Sequence, residues 1–160
     1  MTDALAHVDK VIDAYRRGDM VVIVDDEDRE NEGDLAFAAQ TSTPEKINFM
    51  AKHGRGLVCV ALDASRLDEL HIPPMVARNT SKFSTAFAVS VEAREGTTTG
   101  ISAADRCATV LKLADARSTA RDFIMPGHMF PLRAAEGGVL FRSGQTEASV
   151  DLARLAGLNR

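Results

Sequence analysis

Apolar and polar residues follow two distinct periods along the 160-residue chain. Apolar positions three and four residues apart predict an amphipathic helix over residues 4–17. Its predicted apolar face consists of Leu5, Val8, Val11, Ile12 and Tyr15. Capping residues and similar spacings predict further helices at residues 43–54, 64–70, 102–113 and 146–156. Helical segments are therefore expected throughout the chain.

Continuous or alternating apolar runs predict the strands, at residues 20–24, 35–39, 57–62, 85–92, 130–135 and 139–142. The first run is rich in β-branched residues and is expected to be buried on both faces. The last two runs are expected to form a hairpin around residues 136–138. Residues 126–128 are expected to form a loop. Strands and helices interspersed in this way predict a single layered α/β (α+β) domain over residues 1–160, with helices packed on a mixed sheet.

The distribution of charge narrows the classes of function. The net charge is −4, but seven of the ten residues 25–34 are acidic and the rest of the chain is slightly positive. No basic stripe of the kind that binds nucleic acid is present. No apolar run approaches the ~20 residues of a membrane span. The chain start lacks a secretory pattern, and Cys59 and Cys107 form no disulfide framework. We expect a cytoplasmic protein that binds neither nucleic acid nor membrane.

The acidic stretch at residues 25–34 lies between two predicted strands, which hold its carboxylates close together. Crowded carboxylates raise one another's pKa unless a cation lies among them, and Arg29 can neutralise only one of them. Hard oxygen ligands favour Mg²⁺ or Mn²⁺. The stretch is thus compatible with a metal or polar-ligand site, and also with a solvated acidic turn.

The turn at residues 142–146 precedes a predicted helix. Free backbone N–H groups and the helix dipole favour an anion there. Arg142 could contact phosphate through two nitrogens, Gly144 permits close approach, and Thr146 offers a hydroxyl. An ordinary capped loop with a surface Arg explains the pattern as well. His128 is similarly open, as a general acid or base or as a surface residue.

Four motifs occur in order along the chain, namely DDEDRENEGD at residues 25–34, TGISAADR at 99–106, PGH at 126–128 and TEA at 146–148. Together they resemble the 3,4-dihydroxy-2-butanone 4-phosphate synthase family of riboflavin biosynthesis, over nearly the whole chain. The resemblance implies a metal-dependent lyase that converts ribulose 5-phosphate to 3,4-dihydroxy-2-butanone 4-phosphate and formate. It also implies an α/β homodimer with shared active sites and two Mg²⁺ or Mn²⁺ ions per site.

The resemblance implies roles for particular residues. Catalytic roles fall to His128, which would reach in from the partner subunit, and to Glu30 and Asp34, with Glu30 as a metal ligand. The residues implied to contact the substrate or its phosphate are Arg29, Asp34, Arg142, Gly144, Gln145 and Thr146.

Two departures from the family pattern concern the same centre. The family has a metal-binding His where this chain has Gln145, and it usually continues for a further segment past Gly157 that carries another catalytic Glu. A Gln carbonyl can bind Mg²⁺, but it is a weaker donor to Mn²⁺ than imidazole. We expect an active but impaired synthase. The alternatives are an inactive sugar-phosphate-binding or dimerising homologue and another metal-dependent sugar-phosphate lyase or isomerase.

Overall fold

The computed structural model describes the backbone of residues 2–159 and the side chains of residues 8–159, so Leu5 lies outside the described side chains. Helices and strands alternate along the chain. The helices are α1 (Thr2–Arg17), α2 (Pro44–Phe49), α3 (Ala64–Glu69), α4 (Ala103–Ala114) and α5 (Gln145–Leu155). The strands are β1 (Val21–Val24), β2 (Gly33–Ala36), β3 (Cys59–Leu62), β4 (Val91–Ala93) and β5 (Phe123–Arg133). Short helical turns cover Ala39–Thr41, Met50–Gly54, Ala120–Asp122 and Gly138–Leu140.

The strands form two separate sheets. Strands β1 and β2 make an antiparallel pair in which Val24 lies opposite Gly33. In the second sheet β5 is central, parallel to β3 and antiparallel to β4. The predicted combination of helices with a mixed sheet is therefore confirmed.

Two apolar clusters hold these elements together. The larger cluster joins α2, α3 and α4 to the three-stranded sheet and includes Ile47, Leu67 and Leu113. The smaller cluster packs Tyr15 of α1 and Ala153 of α5 against Ala36 of β2. Helix α5 also packs against both β1 and β3, so it connects the two sheets. Within residues 2–159, no helix is both long and apolar enough to cross a membrane.

The five predicted helices are confirmed, and two of them, α2 and α4, begin at a side-chain cap. Thr43 caps α2 by accepting a hydrogen bond from the backbone N–H of Lys46, and Pro44 occupies the first turn. Ser102 caps α4 in the same way by accepting from the N–H of Asp105, at 3.0 Å. A side-chain oxygen before each of these two helices thus satisfies a donor that lacks an intrahelical partner.

The prediction that residues 20–24 are buried on both faces is wrong. Val22 is 63% exposed and Val24 is 71% exposed. Strand β1 pairs with β2. Val21 and Ile23, on one face of β1, pack on the smaller cluster, whereas Val22 and Val24 lie on the opposite, exposed face. The continuous β-branched run therefore marks a strand with one open face.

The predicted hairpin at residues 130–142 is also wrong, because residues 138–140 form a helical turn. Gly137 and Gly138 both adopt positive φ. The carboxylate of Asp151 accepts the N–H of Val139 at 2.9 Å. Helix α5 therefore holds this segment through a tertiary hydrogen bond and prevents it from continuing as a strand.

The strand predicted at residues 85–92 is largely absent, since only Val91–Ala93 forms a strand, which pairs with β5. The N–H of Ala88 donates to Pro131 and the N–H of Val89 donates to Pro73. Both partners are prolines, which have no N–H to return, so a regular ladder cannot form there.

Residues 126–128 lie inside β5 and do not form the predicted loop. The pairing of β5 with β4 shifts register between Val91 and Glu92. A Cβ on Gly127 would lie 2.2 Å from the backbone carbon of Val91, so only glycine fits this close approach. The Pro-Gly pair thus accommodates an irregular crossing of two strands.

Candidate active site

The acidic loop between β1 and β2 folds around the side chain of Asp25. This carboxylate accepts the backbone N–H groups of Glu32 at 3.0 Å and Glu30 at 3.1 Å, and an Nη1 hydrogen of Arg29 at 2.6 Å. The Glu32 N–H, with smaller contributions from Arg29 and Glu30, holds the pKa of Asp25 below its usual range. Asp25 is therefore a structural anion that shapes the loop.

Arg29 connects this loop to the start of α5. Its Nη2 lies 2.8 Å from Glu30 Oε1, and its Nη1 lies 3.1 Å from Gln145 Oε1. Gln145 also donates from Nε2 to the backbone carbonyl of Glu32 at 3.5 Å. The structure thus brings together Arg29, Glu30 and Gln145, three residues that the sequence predicts for one site but that lie far apart along the chain.

Asp34 lies on β2 beside a cavity of about 250 Å³ whose lining includes Cys59, Gln145 and Thr146. Partial burial raises the pKa of Asp34, and the negative charges of Glu32, Glu30 and Asp25 add to this effect. A carboxyl group with a raised pKa is suited to exchanging protons.

Cys59 faces the same cavity. Burial, and secondarily the Asp34 carboxylate, raises the pKa of its thiol to about 12. This value is far above neutral pH, so the Cys59 thiol stays protonated and does not act as a nucleophile.

The turn before α5 holds the predicted phosphate residues. Arg142 donates from Nη1 to Glu147 at 2.6 Å and from Nη2 to the carbonyl of Phe83 at 3.1 Å. Gly144 precedes the helix, and a Cβ there would lie 2.3 Å from Arg142 Nη1. The guanidinium group therefore lies close to Gly144, at the positive end of the 11-residue helix α5.

Two residues to which the sequence analysis assigned no role, Phe83 and Glu147 of the TEA motif, connect these parts. The ring of Phe83 lies 5.7 Å from the guanidinium carbon of Arg29, and its carbonyl accepts from Arg142. Glu147, whose side chain is 1% exposed, accepts both Arg142 and the N–H of Ala135. A lone aromatic residue in the polar segment 79–84 was the available signal for Phe83.

His128 contacts a different residue, on the neighbouring strand of the three-stranded sheet. Its Nδ1 contacts Oε1 of Glu92 across the β4–β5 pair, and its side chain is 45% exposed. In the described part of the chain, no hydrogen bond connects His128 to the acidic loop or to the start of α5. The structure therefore connects seven of the eight predicted site residues through the acidic loop, the cavity and the start of α5, and it pairs His128 with Glu92 instead.

The oxygen atoms of Glu30 in the acidic loop and of Gln145 at the start of α5 are suited to binding a hard cation. Glu30 and Gln145 both direct an oxygen at the guanidinium of Arg29, so two oxygen donors already share one positive group. Mg²⁺ commonly takes one or two protein oxygens and completes its shell with water and substrate. Among the described side chains, residues 8–159, no group of three or more His, Cys, Asp and Glu forms a preformed metal cluster.

Comparison with known proteins places the chain clearly. The family model of 3,4-dihydroxy-2-butanone 4-phosphate synthase matches residues 9–160. A 3,4-dihydroxy-2-butanone 4-phosphate synthase from Agrobacterium fabrum is 58% identical over 153 residues, which are 96% of this chain and 72% of that protein. The same enzyme from Photobacterium phosphoreum is 54% identical over 96% of this chain and 42% of that protein. The chain thus spans only part of these relatives.

Solved structures agree with the sequence matches. A crystal structure of 3,4-dihydroxy-2-butanone 4-phosphate synthase in complex with two magnesium ions superposes with a TM-score of 0.93 at 46% identity, covering 95% of this chain and 71% of that chain. A cation-free form of the enzyme gives a TM-score of 0.89 over 95% of this chain and 70% of that chain.

Proposed function

The chain belongs to the 3,4-dihydroxy-2-butanone 4-phosphate synthase family, and on that premise we propose that it converts D-ribulose 5-phosphate to 3,4-dihydroxy-2-butanone 4-phosphate and formate in riboflavin biosynthesis. We propose that residues 1–160 act as one synthase domain. The observation that carries the proposal is the contact of Arg29 with both Glu30 and Gln145. Gln145 and Asp34 line the same cavity, and Arg142 lies in the turn just before the helix that begins at Gln145.

The phosphate of the substrate would bind at the start of α5. Two Arg142 donors are already used by Glu147 and Phe83, which fixes the plane of the guanidinium and leaves its other N–H groups for phosphate oxygens. The hydroxyl of Thr146 and the first N–H groups of α5 add further donors. Holding the unreactive phosphate end fixes the position of the reacting carbons.

The reacting end of the sugar would lie toward the acidic loop. Glu30 and Gln145 are the residues that would hold Mg²⁺ or Mn²⁺, which supplies positive charge that stabilises an oxyanion on the substrate. Arg29 can donate to substrate oxygens at the same place. Asp34, with its raised pKa, can accept and return a proton as the ketose forms its enediol.

We propose a homodimer in which His128 serves the active site of the partner subunit. The surroundings of His128 support this arrangement, because its ring is 45% exposed and its described hydrogen bond goes to Glu92 and not to its own acidic loop. Apolar residues left open support it too. Leu140 is 96% exposed and Phe141 is 79% exposed, and both immediately precede Arg142. A second subunit would cover such residues.

A second candidate is an inactive homologue that binds the sugar phosphate without converting it. Gln145 favours this candidate, because an amide cannot take up a proton and binds Mn²⁺ less strongly than imidazole. The phosphate-binding residues are unaffected by this change. Binding and turnover can therefore separate within this family.

An assay of formate release from ribulose 5-phosphate with Mg²⁺ tests the main proposal. We expect metal-dependent formate release that stops on addition of EDTA. Calorimetric titration of ribulose 5-phosphate provides the second measurement. Binding without formate release would establish the inactive homologue, and the absence of both would refute the two candidates together. Sedimentation of the same sample tests the dimer.

A further inference from the structure

Glu92 is a buried carboxylate whose surroundings point to a function. The residue is 8% exposed, lies on β4 and directs Oε1 at Nδ1 of His128 on the neighbouring strand. Burial of a carboxylate is costly unless a donor or a positive charge compensates it. The His128 ring supplies that donor. The ring itself is 45% exposed, so its other nitrogen, Nε2, is available to a substrate.

The neighbouring loop is shaped around the Glu92 carboxylate. Gly100 has a φ of +86°, and a Cβ there would lie 1.7 Å from Glu92 Oε1. The buried carboxylate of Asp105 holds the loop in place by accepting the hydroxyl of Thr98 at 2.8 Å and the N–H of Gly100 at 2.9 Å. These donors keep the pKa of Asp105 low, with the Thr98 hydroxyl as the largest cause. The loop therefore leaves a space that Glu92 fills.

The irregular pairing of β4 and β5 sets the two side chains against each other. The register shift occurs immediately before Glu92, and Gly127 immediately precedes His128. The N–H of Gly127 donates to the hydroxyl of Ser90 at 3.2 Å. The backbone on both sides of the Glu92–His128 contact is thus fixed by packing and by hydrogen bonds.

We propose that Glu92 is a positioning residue that keeps a proton on Nδ1 of His128 and thereby leaves Nε2 free to exchange a proton with the substrate. This inference rests on the proposed function of His128 as an acid or base. A carboxylate only accepts hydrogen bonds, so Nδ1 must carry the hydrogen. The neutral ring then presents an unprotonated Nε2, and the carboxylate stabilises the positive ring that forms when Nε2 takes a proton.

The tautomer itself provides the first test. Imidazole nitrogen shifts of His128, recorded by NMR at a pH where the ring is neutral, should show hydrogen on Nδ1 in the unmodified protein. In Glu92→Gln the amide N–H₂ can donate to Nδ1, so the Nε2–H form should become populated. Glu92→Asp retains the carboxylate and should retain the Nδ1–H form. An Nε2–H ring in the unmodified protein, or no change in Glu92→Gln, refutes the inference.

Kinetics provide the second test. Glu92→Gln should lower kcat by about 10²-fold with little change in KM, because the residue acts on proton transfer and not on binding. In a His128→Gln background the same substitution should lower kcat no further, since its effect passes through His128. Glu69→Gln makes the same chemical change at an exposed ion pair and should stay within about twofold of the unmodified protein.

The two tests separate the two proposals. If the unmodified chain releases no formate, the proposed function fails, and the NMR result still decides the role of Glu92. If the chain is active and Glu92→Gln lowers kcat equally in the His128→Gln background, Glu92 acts by another route and the inference is wrong. Thermal unfolding of each variant identifies any loss that comes from misfolding.

Discussion

The Oε1 atom of Gln145 lies 3.1 Å from Nη1 of Arg29, while Glu30 binds Nη2 of the same guanidinium at 2.8 Å. One internal cation thus connects the two residues that we propose as metal ligands. A metal ion that binds there competes with Arg29 for the same oxygens. The contacts with Arg29 hold the two ligand oxygens in position before the metal binds. Because the metal must displace these contacts, they also reduce its affinity.

Replacing Gln145 with His should strengthen metal binding. Imidazole nitrogen is a better electron-pair donor to Mn²⁺ than an amide oxygen. In Gln145→His, Mn²⁺ and Arg29 would compete for a ring nitrogen in place of the amide oxygen. We expect Gln145→His to tighten Mn²⁺ binding by roughly tenfold, and to raise formate release. Paramagnetic titration of Mn²⁺ measures the affinity.

Gln145→Ala is the matched control for this substitution, because it removes the oxygen donor and frees Arg29. It should bind Mn²⁺ more weakly than the unmodified chain. If neither variant changes Mn²⁺ affinity or activity, Gln145 does not contribute to the metal site.

Asp34→Asn should stabilise the fold slightly at neutral pH and impair catalysis. Partial burial and neighbouring acids raise the pKa of Asp34, so the native state favours its protonated form. The contribution of Asp34 to stability is therefore fully present below the ordinary carboxyl pKa and is lost as pH rises through the raised pKa. Asn carries no charge at any pH, so the gain should appear at pH 7 and vanish near about pH 3.

Solvent screens this partly exposed carboxyl, so the expected rise in Tm is only about 1–2 °C. Formate release should fall by on the order of 10²-fold, since the proton acceptor is removed. Glu27→Gln removes an exposed acid of the same loop and should change neither quantity. A fall in Tm for Asp34→Asn at pH 7 would contradict the sign of the pKa shift.

Arg142→Lys should weaken substrate binding. Lysine keeps the positive charge beside Glu147 but cannot contact Glu147, the Phe83 carbonyl and a phosphate group at once. We expect KM for ribulose 5-phosphate to rise by about tenfold with kcat little changed. Arg154→Lys at the other end of α5, where the side chain is 54% exposed, should leave both constants unaltered. Equal KM values for the two variants would exclude Arg142 from phosphate binding.

Thr109→Val should destabilise the fold without altering the site directly. The Thr109 hydroxyl is fully buried and accepts the N–H of Ala93 at 3.0 Å. Valine has nearly the same shape but leaves that N–H without an acceptor, at a cost of about 2 kcal/mol. Denaturant unfolding measures the loss. Thr109→Ser retains the hydroxyl, so hydrogen exchange at Ala93 should stay slow in that variant and become fast in Thr109→Val.

Local signals predicted the helices and the composition of the site. Thr43 and Ser102 predict the starts of α2 and α4 because helix capping depends on residues within one turn of the chain. The acidic loop was recognisable because its residues are contiguous. The contact between Arg29 and Gln145, 116 positions apart, follows only from how α5 packs on β1. Chain-local patterns contain no such information.

The failed predictions have the same origin. The segment 138–140 became a helical turn because Asp151 on α5 accepts its N–H, and His128 became a strand residue because β4 and β5 cross irregularly. Glu92 gave no signal at all, since an isolated acid in an apolar strand resembles a residue on a wetter face. Tertiary contacts decided each of these cases.

The 2.2 Å separation between a hypothetical Cβ at position 127 and the Val91 backbone also has a consequence for how this sequence can diverge. In a saturation mutagenesis library at position 127, we expect every clone that retains activity to carry glycine. Codon 56 should accept many residues, because a Cβ on Gly56 meets nothing within 4 Å. The proposed catalytic histidine thus depends on a neighbouring position at which the packing of β4 tolerates no side chain.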